Sequence, residues 1–310
     1  MRNDAPGNGM SKEDLREHRR RRIRRHGRRA YIRSVYSLPS LATLGNAVCG
    51  FGAMYVSSLD YSPRIADPWT QSFALHPFVA AAYLIFLAML FDGIDGRLAR
   101  FTRHTTDFGG QLDSLADMIS FGAAPAFLAL QLFRDSVSTL PVVWSRLIWA
   151  VAAMYMSCAA LRLARFNVSN KHGEQHHFSF LGLPSPGAAA AVASLVLVQQ
   201  ELAQHAAYRL ASVLASICVW MLPVIVLLTG LLMVSAFRYP HLVNRYLRGR
   251  RSLSRLLVVL AIGLLIIVAH RYTLAIGTLI FSLWGPVSWA YLRVRPKPST
   301  APAIPPTPAS

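Results

Sequence analysis

Acidic residues are scarce in this chain: 14 Asp and Glu stand against 32 Lys and Arg, which leaves a formal charge of +18. Cysteine is scarcer still. Cys49, Cys158 and Cys218 are odd in number, widely spaced and form no CxxC pair, which excludes a disulfide framework and a cysteine-based zinc site. They read as small buried apolar residues. No internal repeat with a period of about 20 to 50 residues is present, which removes solenoid and propeller architectures. No apolar stretch follows the N-terminal charges until Leu38, so the head of the chain is not expected to be a secretory signal peptide. The run Arg19-Arg20-Arg21-Arg22-Ile23-Arg24-Arg25 has no interleaved aromatics and no accompanying nucleic-acid module, so no nucleic-acid partner is expected.

What the chain has in abundance is apolar length. Hydrophobic residues make up 54% of it, and the mean hydropathy is +0.37, too oily for an ordinary soluble domain. Hydropathy marks about eight candidate spans, at 38–58, 77–98, 111–133, 144–166, 180–200, 211–235, 255–270 and 273–292. Each is near the ~20 residues that cross a bilayer as a helix. The last two read as a tight helical hairpin. If the spans alternate from a cytoplasmic N-terminus, 27 of the 32 Lys and Arg fall on the cytoplasmic side. Arg64, Arg134, Arg146, Arg209 and Arg271 remain on the other. That bias sets the expected orientation, with both termini inside, and it makes anionic membrane lipids the partner of the net charge. The expected architecture is an all-α, polytopic integral membrane helical bundle. A basic cytoplasmic segment (1–37) precedes a transmembrane catalytic domain (38–293), and a disordered Pro/Ala-rich tail (294–310) follows. His172, His176 and His177 lie in a polar loop at 167–179 with no Cys nearby and read as solvated. Gly45, Gly50 and Gly52, and the run Ala188 to Ala191, suit close helix packing.

Four of the few acids are concentrated in the run Asp92-Gly93-Ile94-Asp95-Gly96-Arg97-Leu98-Ala99-Arg100 and in Gly109-Gly110-Gln111-Leu112-Asp113-Ser114-Leu115-Ala116-Asp117. A carboxylate in a membrane helix persists only if it is paired, wetted or bound to a cation. Asp92 and Asp95 are three apart and Asp113 and Asp117 four apart, so each pair shares a helix face. The second span runs inward and the third outward, which brings both pairs to one depth near the cytoplasmic surface. Facing carboxylate pairs on antiparallel helices build dinuclear metal sites. An all-oxygen ligand set selects Mg²⁺, Mn²⁺ or Ca²⁺. Gly96 and Gly109 clear space for a ligand or a neighbouring backbone. Arg100, Thr106 and the N-terminus of the third span offer donors to a phosphate. The combination suits a diphosphate held by two cations, with a carboxylate left to accept a proton from an attacking hydroxyl. Two other readings stay open: salt bridges from these acids to Arg97, Arg100 or Arg103, and an ion or proton pathway.

The stretch reads D-x2-D-G-x2-A-R-x8-G-x3-D-x3-D without internal departure over residues 92–117. It resembles the signature of the CDP-alcohol phosphotransferases, integral membrane enzymes of phospholipid synthesis. The resemblance implies that Asp92, Asp95, Asp113 and Asp117 hold two divalent metals. It implies that Asp117 also activates the acceptor hydroxyl, and that Gly96, Ala99, Arg100, Thr106 and Gly109 surround the CDP moiety. Three further segments are similar to one branch of the family, the membrane-type phosphatidylserine synthases. They are Leu38-Pro39-Ser40-Leu41-Ala42-Thr43-Leu44-Gly45-Asn46 with Cys49-Gly50, Ala160-Leu161-Arg162-Leu163-Ala164-Arg165-Phe166-Asn167, and Phe180-Leu181-Gly182-Leu183-Pro184-Ser185-Pro186. Ser40 stands where many relatives carry Asn.

The branch implies transfer from CDP-diacylglycerol to L-serine with release of CMP, in a homodimer of a bacterial-type inner membrane whose active site faces the cytoplasm. The soluble type of serine phosphatidyltransferase uses an HxKxxxxD motif, and none of Lys12, Lys171 and Lys297 sits in one. Arg162 and Arg165, at i and i+3 near the inner end of the fourth span, are the candidates for the serine carboxylate or a substrate phosphate; snorkelling toward the inner headgroups is the competing reading. Within the family, glycerol 3-phosphate, inositol phosphate or choline are the alternative acceptors. An ion or proton transporter is the alternative of another class.

Overall fold

A computed structural model describes residues 40–59, 76–102, 107–137, 141–171, 180–239 and 253–294. The basic segment 1–37, most of the loop at 59–76, Thr106, the three loop histidines and the tail beyond 294 lie outside the described residues.

Helix α1 occupies 40–57. Helix α2 is Pro77–Thr102, with Pro77 at its first position, where a missing N–H costs nothing. Helix α3, Asp107–Asp117, passes through a π-helical segment, Met118–Ala123, into α4, Ala124–Ser136. Helix α5 is Val142–Lys171, α6 is Ser185–Gln204, α7 is Arg209–Val234 and α8 is Leu253–Val294. Five of these described helices are long and apolar enough to cross a membrane, at Pro77–Leu98, Phe108–Ser136, Val142–Val168, Arg209–Val234 and Ala269–Tyr291. Large apolar side chains such as Val48, Phe51, Leu210, Val224 and Trp284 are exposed on the outside of the bundle, a surface that only lipid suits.

Eight spans were expected, and the differences have physical causes. The expected fifth span, 180–200, begins as a helix only at Ser185. Pro184 fixes an extended backbone (φ −57°, ψ 138°) at its cap, and Pro186 sits in its first turn. Helix α6 also carries Gln199, Gln200 and Glu201 at its far end and lies inside the bundle rather than against lipid. Where spans seven and eight were expected, two helices meet within α8 at Ala269, whose φ of −132° and ψ of 46° are non-helical, next to the expected boundary between 255–270 and 273–292. A two-residue β pairing, also unforeseen, joins Phe180–Leu181 (β1) antiparallel to Arg238–Tyr239 (β2).

Helix α6 is the hub, packed against α2, α7 and α8. The small residues Ala188, Ala189, Ala191 and Ala193 are fully buried on it, and small side chains let helix backbones approach where no hydrophobic force drives them together. The turn before α6 is tied to the end of α7. Gly182 donates its N–H to Phe237 O at 2.8 Å and Leu183 donates to Leu232 O at 2.9 Å. Gly182 has φ of +82°, and a Cβ there would lie 2.3 Å from Met233 O, so only glycine closes this turn. Cys49 and Cys158 are buried free thiols and Cys218 is half-buried, as the sequence suggested.

Helix α1 meets the π segment at a point with no room to spare. A Cβ on Gly50 would stand 2.4 Å from Ser120 Oγ and 2.6 Å from Ser120 Cα. A Cβ on Gly277 of α8 would meet nothing within 4 Å. Gly50→Ala is therefore expected to destabilise the detergent-solubilised protein by about 1–3 kcal/mol through overpacking, lowering its thermal midpoint. Gly277→Ala is expected to be neutral or stabilising, by up to about 1 kcal/mol. Equal midpoints for the two variants would contradict this packing.

Candidate active site

Asp92 and Asp95 sit in the last three turns of α2, and Asp113 and Asp117 in the second half of the short α3. The acid-bearing ends of the two helices come together. One carboxylate oxygen from each of Asp92, Asp95 and Asp113 can be chosen so that all three lie within 4.8 Å of one another. This is the metal-competent group found among the described residues. Asp95 is 4% exposed, and Asp92 and Asp113 are half-buried. Asp95 receives hydrogen bonds from the Thr43 side chain and the Gly96 backbone. Its Oδ2, and Oδ1 of Asp113, are buried with no hydrogen-bond partner.

Asp117 stands outside that group of three, one helical turn beyond Asp113. Asn46 of α1 donates its Nδ2 to Asp117 Oδ1 at 3.0 Å. Asn46 is completely buried, and its own backbone carbonyl accepts from Ser120 Oγ at 2.8 Å. The π segment starts at the residue after Asp117. A π turn shifts the backbone hydrogen-bond register locally, and here both flanking helices fasten it. Besides the Ser120 bond to α1, the buried Tyr155 of α5 donates to Phe121 O at 3.1 Å. The sequence pattern quoted Asn46 without giving it a role; the signal was a polar amide in an apolar helix, which is as costly unpaired as it is informative.

Gly96 is exposed, and a Cβ on it would meet nothing within 4 Å. Among the described residues, no packing requires glycine there. Thr106 and the side chains of Ala99 and Arg100 lie outside the described residues, and Gly109 lies in the first turn of α3, ahead of Asp113. The two candidate arginines part company. Arg162 is half-buried, donates Nη1 to Ser185 Oγ at 2.9 Å and lies within electrostatic reach of Asp117. Arg165 is exposed. Near them Asn167 of α5 donates Nδ2 to Ser114 Oγ of α3 at 2.9 Å, clipping α5 to the metal-site helix.

Divalent cations suit these residues. The donor set is all oxygen, two of its oxygens are buried without partners, and converging carboxylates need a positive charge between them. Of the rival salt bridges, none joins these aspartates to Arg97 among the described residues, where the ion pair found is Arg271–Glu201; Arg103 and the side chain of Arg100 lie outside the described residues.

The comparisons with known proteins agree with this geometry. The family model for CDP-alcohol phosphatidyltransferases matches residues 36–218. A Helicobacter pylori protein named CDP-diacylglycerol–serine O-phosphatidyltransferase is 31% identical over 264 residues, covering 85% of this chain and 95% of the relative. A Methanocaldococcus jannaschii protein of the same name is 31% identical over 215 residues, 69% of this chain and 79% of the relative. One from Mycobacterium tuberculosis is 38% identical over 134 residues, 42% of this chain and 44% of the relative. The chain belongs to the CDP-alcohol phosphatidyltransferase family, whose members use divalent metals.

A cation that binds only the folded site stabilises it by about 2.7 kcal/mol at a hundredfold excess over its dissociation constant. Mg²⁺ or Mn²⁺ is accordingly expected to raise the thermal midpoint of the purified protein, and EDTA to reverse the rise. In Asp95→Asn and Asp113→Asn the rise should disappear. An unaltered metal-dependent shift in both variants would refute the assignment of these ligands.

Proposed function

We propose that the chain transfers the phosphatidyl group of CDP-diacylglycerol to the hydroxyl of L-serine, releasing CMP. The observation that carries this reading is the convergence of Asp92, Asp95 and Asp113 within 4.8 Å beside an Asp117 held by Asn46. The acceptor follows from the relatives, which are named for serine.

Asp92, Asp95 and Asp113, with Asp117, are the residues that would hold two divalent ions, Mg²⁺ or Mn²⁺ by preference, with Ca²⁺ also compatible with oxygen donors. When bound, such ions supply charge neutralisation of the pyrophosphate and stabilise the leaving oxygen. The chain's own residues do the rest. Open space at Gly96 admits the diphosphate, and Ala99, Arg100, Thr106 and Gly109 complete its surroundings. A carboxylate oxygen of Asp117 takes the proton of the serine hydroxyl. The serine oxygen attacks the phosphorus that bears diacylglycerol, the bond from that phosphorus to the CMP oxygen breaks, and CMP leaves with the bonding pair. No protein nucleophile is needed, so the displacement is single. Because Asn46 engages Oδ1 of Asp117, that carboxylate is oriented before substrate arrives, and preorganisation of this kind is what a positioned base requires.

The same reading places the protein in a bacterial-type inner membrane, with both termini and the aspartate end of the bundle toward the cytoplasm. That is the arrangement in which 27 of 32 Lys and Arg face inward. The catalytic unit is 38–293. The basic segment 1–37 meets anionic lipid headgroups, and two copies form the working dimer.

CMP release by purified protein with CDP-diacylglycerol and a panel of alcohols tests the reading. Serine is expected to give release, whereas glycerol 3-phosphate, inositol phosphate and choline are not. Asp117→Asn is expected to lower kcat about 10²-fold or more. Release with another alcohol but not with serine would overturn the acceptor, and full turnover in Asp117→Asn would overturn the base. Transport of ions by proteoliposomes without any CDP-lipid would replace the enzyme reading altogether.

A further inference from the structure

Two buried polar atoms of opposite hydrogen-bonding sense are left unmatched around Asp117, and neither has a task in the chemistry above. The first is Oδ1 of Asn46. A carboxylate only accepts, so the 3.0 Å contact with Asp117 fixes Nδ2 as the amide atom facing it and leaves the carbonyl oxygen over. The second is Nε of Arg162, which has no partner although Nη1 is spent on Ser185. Ser185 is itself 1% exposed, so this guanidinium is anchored rather than waving in headgroup water. Shielded donors and acceptors are normally paired, and an exception needs an explanation. Here one acceptor belongs to the residue bonded to the base, and one cationic donor belongs to an arginine within the electrostatic reach of that base. An alcohol with an ammonium and a carboxylate on the carbon next to its hydroxyl-bearing carbon would satisfy both.

We propose that Asn46 and Arg162 form the acceptor-recognition site, Asn46 Oδ1 taking a hydrogen bond from the ammonium of the amino acid and Arg162 Nε giving one to its carboxylate. This rests on serine being the acceptor and adds how serine is distinguished from simpler alcohols. It also chooses between the two arginines near the inner end of α5: Arg162 reads the substrate, and the exposed Arg165 does not. A site built to pair a buried polar group rejects analogues that leave it unpaired far more strongly than an apolar pocket rejects a change in size. Both ends of the zwitterion are then selected, while Asp117 acts on the hydroxyl between them.

The test uses the full-length protein with divalent metal and CDP-diacylglycerol, and three acceptors: serine, ethanolamine (no carboxylate) and 3-hydroxypropanoate (no ammonium). In Arg162→Gln the ratio of kcat/KM for serine over ethanolamine should fall at least about tenfold, and Arg162→Lys should restore part of it. In Asn46→Ser the ratio for serine over 3-hydroxypropanoate should fall by a similar factor. A loss shared equally by all acceptors is what mere mispositioning of Asp117 would give, so unmoved ratios in folded variants overturn the proposal. The unaltered protein provides a measurement independent of any variant. Serine methyl ester and N-acetylserine should each inhibit at least about tenfold more weakly than expected for a ligand of serine's affinity, and inhibition as strong as serine binding by either one overturns the proposal. Failure of serine itself with the unaltered protein strikes the acceptor reading, whereas serine turnover with unmoved ratios strikes this inference alone.

Discussion

Mutual repulsion of carboxylates in an apolar bundle is the constraint around which the rest is arranged. Charges on Asp92, Asp95 and Asp113 oxygens no more than 4.8 Å apart repel by about 3.5 kcal/mol per pair or more at an effective dielectric of about 20. Desolvation adds to that cost. Thr43 and the Gly96 backbone relieve part of it at Asp95, yet buried oxygens of Asp95 and Asp113 remain unmatched. A set of acids held in this way is poor as packing and good as a cation site. Divalent ions remove the repulsion and at the same time create the positive centre that a pyrophosphate needs.

The scaffold answers that constraint by rigidity where the acids are and by space beside them. Gly50 brings α1 into backbone contact with Ser120, and that contact delivers Asn46 to Asp117. The π segment after Asp117 is fastened by Ser120 on one side and Tyr155 on the other. Tyr155 in turn lies over Gly230 of α7, where a Cβ would be 3.2 Å from Tyr155 Cα. Gly182 closes the turn that presents Ser185 to Arg162. Gly96, by contrast, faces open space. Glycine thus sits in opposite surroundings within one site, in close contact at Gly50 and beside open space at Gly96.

Much of the metal site was legible in the sequence because its information is local. Spacings of three and four put Asp92 with Asp95 and Asp113 with Asp117, and a short connection put the two helices together. Asn46 was not legible as a partner of Asp117, because the two are 71 positions apart and nothing in the periodicity of α1 says which helix it will face. Helix α6 was expected as a span whose run Ala188 to Ala191 suits close helix packing; its place as the hub, which admits Gln199 and Gln200, is a tertiary fact. The β1–β2 pairing is too short to leave a pattern. The break at Ala269 was legible to within a residue or two, because the polar pair His270-Arg271 interrupts the apolar run between the spans expected at 255–270 and 273–292.

Anomalous diffraction from crystals grown with Mn²⁺ bears most directly on the claim that acids from two helices share divalent cations. A peak is expected between α2 and α3, about 2.0–2.3 Å from oxygens of Asp92, Asp95 and Asp113, with a second one reached by Asp117. Carboxylates turned away from one another, each paired to an arginine and with no anomalous density between them, would contradict it.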